Sequence, residues 1–283
     1  MTKVQYGVSP AFFISLFGDK FTPDDVCEAM PIVRRLGFGC FQAELVNFSS
    51  VDLWMKGGAE KVKNHATEMG LLMSQFVAHF MIEAFADENA LFSDFGIEEM
   101  RKVFDIAGTL RKEAPITVAI GPYRSKAYDQ KARVRAYARL IEKLSKIAQD
   151  ALRLGLKLAL EIQPGTLLEP GANGILKAIR DIGSGNVGYN LDTGHAWAAG
   201  NNVALYPEML DGHIEGTHLC DNFGRENLSL RPGAGNIDFG YLIPALVRSK
   251  YDSSLDLEIF VPRDKVEKEY SAGLAFVKKL VEA

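Results

Sequence analysis

Three carboxylates and one imidazole, Glu161, Asp192, Glu258 and His218, stand at the ends of short runs in which apolar residues alternate with small or polar ones. Side chains of these types hold divalent cations, and they take up or release protons as general acids and bases. Leu156, Leu158, Leu160 and Ile162 alternate with Lys157, Ala159 and Glu161. Val187, Tyr189 and Leu191 alternate with Gly188, Asn190 and Asp192, and Leu255, Leu257 and Ile259 with Asp256 and Glu258. Successive side chains of a β-strand point to opposite faces, so each run predicts an outward apolar face and an inward polar face that ends in a carboxylate. The run Ile214-Glu215-Gly216-Thr217-His218 is less regular, because Glu215 would point outward, but its even-numbered face ends at His218.

The elements that must position these residues share one pattern along the whole chain. Strand-like runs near residues 4–9, 38–45, 71–79, 116–121, 156–162, 187–192, 213–219 and 254–260 alternate with longer helical stretches. One helix is expected over Pro23 to Leu36, with Thr22 as N-cap, Asp24 and Asp25 in its first turn and Gly37 ending it. The longest is expected over Ala127 to Leu154, and the last around Val266 to Val281. Eight such pairs in 283 residues average about 35 residues each, the size of a right-handed βαβ crossover. An open doubly wound sheet would want a glycine fingerprint after the first strand, and Tyr6-Gly7-Val8-Ser9-Pro10 lacks it. The predicted fold is therefore α/β, a single (β/α)8 TIM barrel domain over residues 1–283, with the four residues above at the C-terminal mouth where such barrels carry their active sites.

Barrel interiors are normally filled by branched apolar side chains, and three carboxylates turned toward one another would repel and lose hydration at a cost of several kcal/mol. A divalent cation compensates: three carboxylates and one neutral imidazole around it leave a net charge of −1. Oxygen-rich ligation without thiolate favours Mn2+, Mg2+ or Co2+ ahead of Zn2+. In the competing arrangement Lys157 and Asp256 pair at the barrel floor, while Glu161, Asp192 and Glu258 only rim the loops.

Composition narrows the partners. With 32 Lys+Arg against 36 Asp+Glu the formal charge is −4, which argues against nucleic-acid binding. No apolar run approaches the ~20 residues of a membrane span, and no export signal is seen at the start of the chain. Cys27, Cys40 and Cys220 are scattered outside any CxxC spacing, so a disulfide framework is not expected, and a reducing cytoplasm is the expected location.

Glu161 closing Leu-Ala-Leu-Glu-Ile, then Asp192-Thr193-Gly194-His195, Thr217-His218-Leu219-Cys220-Asp221 and Leu257-Glu258 together resemble the xylose isomerase-like barrel superfamily of sugar isomerases and epimerases. Ligand set and spacing are most similar to its ketose 3-epimerase branch. The resemblance implies one divalent ion on Glu161, Asp192, His218 and Glu258. It also implies that Glu161 and Glu258 act as catalytic base and acid on opposite sides of a carbon through an enediolate. His195 would then bind a substrate oxygen, and Arg225 or Arg231 would be the substrate-binding arginine. The implied partner is a small sugar, and the implied assembly a homodimer or homotetramer. The chain departs from the pattern at Leu167, where the family has a Glu six residues beyond the first ligand; Gln163 is the alternative polar group.

The three-zinc endonucleases of the same superfamily share part of the pattern, but their Asp-x-His is replaced here by Asn227-Leu228-Ser229, and Val118-Ala119-Ile120-Gly121 lacks their strand-four His. That moves the reading from phosphodiester cleavage to chemistry on a small polyol. A metal-dependent dehydratase or lyase on a keto-polyol or cyclitol is the alternative, and a non-catalytic sugar-binding barrel is disfavoured by the intact ligand set. Among the remaining residues, Phe12, Phe13, Phe17 and Trp197 are either an aromatic wall or core. Asp221 is expected on His218 or a water, Cys220 in packing, and Glu44 as a contact of the substrate or of a residue that holds it, while His79 near the end of strand three is the lone remaining candidate for the three-zinc pattern.

Overall fold

The computed structural model describes residues 4–124, 130–249 and 251–282. Eight parallel strands are hydrogen-bonded in the order β7-β6-β5-β4-β3-β2-β1-β8: β1 Gln5–Val8, β2 Cys40–Glu44, β3 Leu72–Ala78, β4 Ile116–Ile120, β5 Leu158–Ile162, β6 Val187–Asp192, β7 Ile214–His218 and β8 Ser254–Leu257. The ring closes just above β7, where the Leu219 N–H donates to the Asp256 carbonyl (2.8 Å) and the Glu258 N–H to the Leu219 carbonyl (3.0 Å). Strand–helix alternation thus builds the expected TIM barrel. Most strands are shorter at one or both ends than the apolar patterns suggest, and Glu258 lies one residue past β8, held in line by its bond to Leu219.

The outward apolar faces behave as alternation requires. Leu158, Leu160, Tyr189, Leu191, Leu255 and Leu257 are all at most 1% exposed, packed under the helical layer. The helix Pro23–Arg35 starts at a capping box, in which Thr22 Oγ1 accepts the Asp25 N–H (3.3 Å) and Asp25 Oδ2 accepts the Thr22 N–H (2.7 Å). Gly37 beyond it takes the left-handed φ of 92° that lets the chain turn into β2. The long helix is described over Gln130–Arg153; its expected start at Ala127 lies outside the described residues. The last helix, Val266–Val281, has the expected bounds. No helix among the described residues is long and apolar enough to cross a membrane.

Inside the barrel the filling is polar. Gln42, Gln75, Thr117, Asn190 and Asp256 are all fully buried, and such groups must find partners to avoid a desolvation cost of about 1–3 kcal/mol each. Gln42 donates through Nε2 to Asp256 Oδ2 (2.8 Å), and Thr117 donates to Gln75 Oε1 (2.7 Å). Asp256 therefore does not pair with Lys157, whose ammonium instead meets Glu215 (2.9 Å). Glu215 sits at a register shift: Tyr189 pairs with Ile214 but Asn190 with Gly216, so Glu215 is one residue too many for the β6 ladder. That bulge accounts for the irregular alternation of β7 and leaves both Gly216 and His218 on the inner face.

Phe12 and Phe13 are core rather than an aromatic wall. Both are fully buried, Phe12 edge-on to Tyr270 at 4.9 Å and Phe13 stacked on Phe21 at 5.7 Å. At the floor, Gly7 of β1 lies opposite Asp256 of β8, and a Cβ there would collide with the Asp256 carboxylate and come within 2.9 Å of Cys40 Cβ. Gly7→Ala is expected to destabilise the fold by about 1–3 kcal/mol, read as a lower urea midpoint at unchanged m-value.

Candidate active site

His218 ends β7 with its ring 2% exposed, and its Nε2 lies 2.8 Å from Gln42 Oε1. Because Gln42 spends its amide hydrogens on Asp256, it turns an acceptor toward the ring. The imidazole proton accordingly belongs on Nε2, and Nδ1 presents a lone pair. That lone pair faces three carboxylates: Glu161 Oε2 at 2.8 Å, Glu258 Oε1 at 3.3 Å and Asp192 Oδ2 at 3.9 Å. Acceptor facing acceptor is repulsive unless a proton or a cation lies between them. The structure thus brings together all four residues that alternation placed at the mouth, each nearly buried.

Two buried atoms in this cluster, Asp192 Oδ2 and His218 Nδ1, have no hydrogen-bond partner. Ligand atoms of Glu161, Asp192 and His195 all lie within 4.8 Å of one another, as do those of Asp192, Cys220 and Glu258. Unpartnered lone pairs, converging carboxylates and a tautomer that exposes Nδ1 are what a divalent cation requires, so the residues present fit such an ion. The supporting contacts are in place as well: Asn190 Nδ2 donates to Glu161 Oε2 (3.1 Å), and Asp192 Oδ1 accepts the His195 N–H (2.7 Å).

Without an ion the electrostatics are those of a strongly coupled cluster. Burial pushes the His218 imidazolium down, but the charges of Glu258, Glu161 and Asp192 outweigh it and raise the pKa to about 10. Burial likewise raises Glu161, yet His218, with smaller help from His195 and His79, brings it down to about 2. Glu258 goes the other way: burial raises it well above the carboxylate range, His218 opposes this, and Asp192 and Glu161 add to it. Two neighbouring glutamates are therefore driven apart, one toward the base form and one toward the acid form.

The cluster opens into a cavity of about 290 Å3, whose wall includes Glu44, His79, Gln163, His195, Asn227 and Phe260. His195, expected as a substrate contact, contributes its ring to this wall, with Nε2 3.6 Å from Asp192 Oδ2. His79 Nδ1 lies 3.3 Å from the buried Glu44, which outweighs the effect of burial and raises the imidazole pKa. A second cavity of about 350 Å3 shares Gln163 and His195 and continues over Ile162, Leu168, Tyr189 and Tyr206.

Several other residues lie away from the cluster. Arg225 is exposed and lines neither cavity, because the chain from Asp221 to Leu230 folds into a hairpin-like loop that carries it outward. Arg231 is paired with Glu269 at 3.1 Å. Asp221 does not reach His218; its carboxylate accepts the N–H groups of Gly233, Gly235 and Ile237 (2.8–3.1 Å) and so shapes the loop. Trp197 donates to Asn236 (2.8 Å). Cys220 is buried as expected, but among oxygens rather than hydrocarbon: its Sγ is 3.9 Å from both Asp192 Oδ1 and Glu258 Oε2. Gln42 is a functional residue that sequence reasoning misses, since nothing in the run Cys40-Phe41-Gln42-Ala43-Glu44 signals that its amide sets a histidine tautomer.

A family model described as xylose isomerase-like TIM barrel matches residues 31–280. The uncharacterized protein MJ1311 of Methanocaldococcus jannaschii is 34% identical over 129 residues, so this chain spans under half, 44%, of that relative's length, and the match takes in 44% of this chain. Among solved structures, a D-tagatose 3-epimerase-like protein superposes over 99% of this chain and 98% of its own, with a TM-score of 0.79 at 22% identity. L-ribulose 3-epimerase superposes over 99% and 95%, with a TM-score of 0.75 at 20% identity. D-psicose 3-epimerase from Clostridium cellulolyticum H10 superposes over 99% and 100%, with a TM-score of 0.77 at 17% identity. At these identities the superpositions establish the shared barrel.

Because the ion-free His218 holds a proton up to about pH 10, a cation must displace it. Binding at pH 7 should release protons to buffer, and affinity should climb by roughly tenfold per pH unit for each proton released. Calorimetric titrations in buffers of different ionisation enthalpy measure this release. Gln42→Leu, which frees the His218 tautomer, should weaken binding on the order of 10–100-fold.

Proposed function

Since the chain belongs to the xylose isomerase-like TIM barrel family, we propose that it is a divalent-metal-dependent epimerase or isomerase of a small ketose, with residues 1–283 working as one barrel domain. The observation that carries the reading is the lone pair of His218 Nδ1 facing Glu161, Glu258 and Asp192 at the floor of a cavity of about 290 Å3, close to the lower limit of ligand pockets. Glu161, Asp192, His218 and Glu258 would hold the ion. When bound, it supplies Lewis-acid polarisation of a substrate carbonyl, which acidifies the neighbouring C–H.

The chain's own groups do the rest. Glu161, held toward its ionised form, takes the proton as the C–H bond breaks; the C–H electron pair becomes a C=C bond to the carbonyl carbon, and the C=O π pair moves onto the oxygen. A proton is then returned to the opposite face from the side of Glu258, which inverts the stereocentre. Return on the same face to the adjacent carbon would instead interconvert ketose and aldose. His195, Gln163 and the His79–Glu44 pair, all on the cavity wall, would hydrogen-bond substrate hydroxyls. What supports a small polyol over a nucleic acid is the size of this cavity together with the net charge of −4. A ketose 3-epimerase is the nearest specific form, by likeness to the D-tagatose 3-epimerase-like and L-ribulose 3-epimerase structures.

The test is NMR of a ketose panel in D2O with metal-loaded protein. Deuterium incorporated at carbon together with a new epimer or aldose is the expected result. A product smaller by one water would replace the reading with a dehydratase, and no incorporation with any ketose would overturn it. Glu161→Gln and Glu258→Gln should each lower exchange on the order of 10²–10⁴-fold, with metal content measured alongside.

A further inference from the structure

Cys220 lies two residues beyond His218 and is fully buried. Thr193 fixes its backbone on both sides: the Cys220 N–H donates to Thr193 Oγ1 (2.9 Å), whose hydroxyl donates to the Cys220 carbonyl (2.6 Å). The thiol is thereby directed at Asp192 Oδ1 and Glu258 Oε2, each at 3.9 Å, and at Asn227 Oδ1 at 3.6 Å. Gly194 makes room for this, since a Cβ at that position would strike both the Cys220 sulfur and the Asn227 amide. One S–H hydrogen faces three acceptors, two of them carboxylates in a site that water scarcely reaches, while Asp192 Oδ1 also accepts the His195 N–H and Asn227 Oδ1 the Ser229 N–H. The unpartnered, buried Asp192 Oδ2 and His218 Nδ1 belong to the same cluster.

We propose that Cys220 is a thiolate ligand of the divalent ion, completing a position formed with Asp192 and Glu258, and that it makes the centre select Zn2+ or Co2+ over Mg2+ and Mn2+. The inference rests on the ion centre described under the proposed function and refines it by naming a ligand and a metal class. On binding, the S–H bond breaks, the proton leaves to solvent, and a sulfur lone pair is donated to the ion; no electron is transferred. Thiolate is the soft donor that distinguishes zinc and cobalt from the hard, oxygen-seeking magnesium and manganese. Cys27, in the helix Pro23–Arg35, and Cys40, at the start of β2, are buried away from this cluster and have no such role.

The experiment is a Co2+ titration of the ion-stripped full-length chain followed by absorption. The expected result is visible d–d absorption at saturation accompanied by a near-ultraviolet cobalt–thiolate charge-transfer band. Cys220→Ser should abolish the charge-transfer band and retain the d–d bands, whereas Cys27→Ser should keep both. Zinc affinity of Cys220→Ser should fall at least on the order of 10-fold, with manganese affinity unchanged. X-ray absorption of the zinc-loaded wild type, which needs no variant to fold, should place a sulfur neighbour at about 2.3 Å. Saturable d–d absorption without charge transfer, or a zinc shell of nitrogen and oxygen alone, would overturn the thiolate assignment and leave the ketose reading standing if C–H exchange persists. Failure to bind cobalt at all would overturn both.

Discussion

Like charges are crowded in a place that water hardly reaches: Glu161 and Asp192 are 4% and 1% exposed around a single imidazole. Removing such groups from water costs several kcal/mol per ion even after relaxation, and their mutual repulsion adds to it. Much of the surrounding structure answers that cost. Asn190 donates to Glu161, the His195 N–H to Asp192, and Gln42 holds the imidazole so that its free nitrogen turns toward the acids. In a fold whose interior is usually aliphatic, the polar filling from Gln42 and Gln75 to Asp256 is the buried extension of the same solution, because each amide orients the next group along.

The same arrangement explains why the two glutamates are not equivalent. Glu161 lies 2.8 Å from His218 Nδ1, which outweighs its burial and lowers its pKa, whereas Glu258, at 3.3 Å and beyond the end of β8, is raised by burial and by Asp192 and Glu161 more than His218 offsets. In the ion-free site a difference in strand position thus becomes a difference in proton affinity.

Much of this is legible in the residues themselves, because a period of two fixes which side chains of a strand share a face. Glu161, Asp192, His218 and Glu258 meet as alternation requires, and the eight strand–helix pairs close as expected. The illegible parts depend on geometry that has no local signature. Arg225 is adjacent in sequence to the site but is carried away by a loop whose shape depends on Asp221 gathering N–H groups from 12 to 16 residues ahead. Gln42 acts on His218 across 176 positions of chain. Cys220 reads as packing because a lone cysteine in sequence looks the same whether its neighbours are methyl groups or carboxylates.

The bulge at Glu215 ties the centre to chain length. With that surplus residue, β7 re-enters its ladder with Gly216 opposite Asn190 and His218 opposite Asp192. Because the five residues from Ile214 to His218 face only four of β6, losing one between them would regularise the ladder with His218 still opposite Asp192, whereas losing two would bring His218 opposite Leu191 and swing the imidazole into the helical layer. Descendants of this chain can thus lose the one surplus residue of β7 without moving His218 to the other face, and any further shortening is limited by parity rather than by the identity of a side chain within the strand.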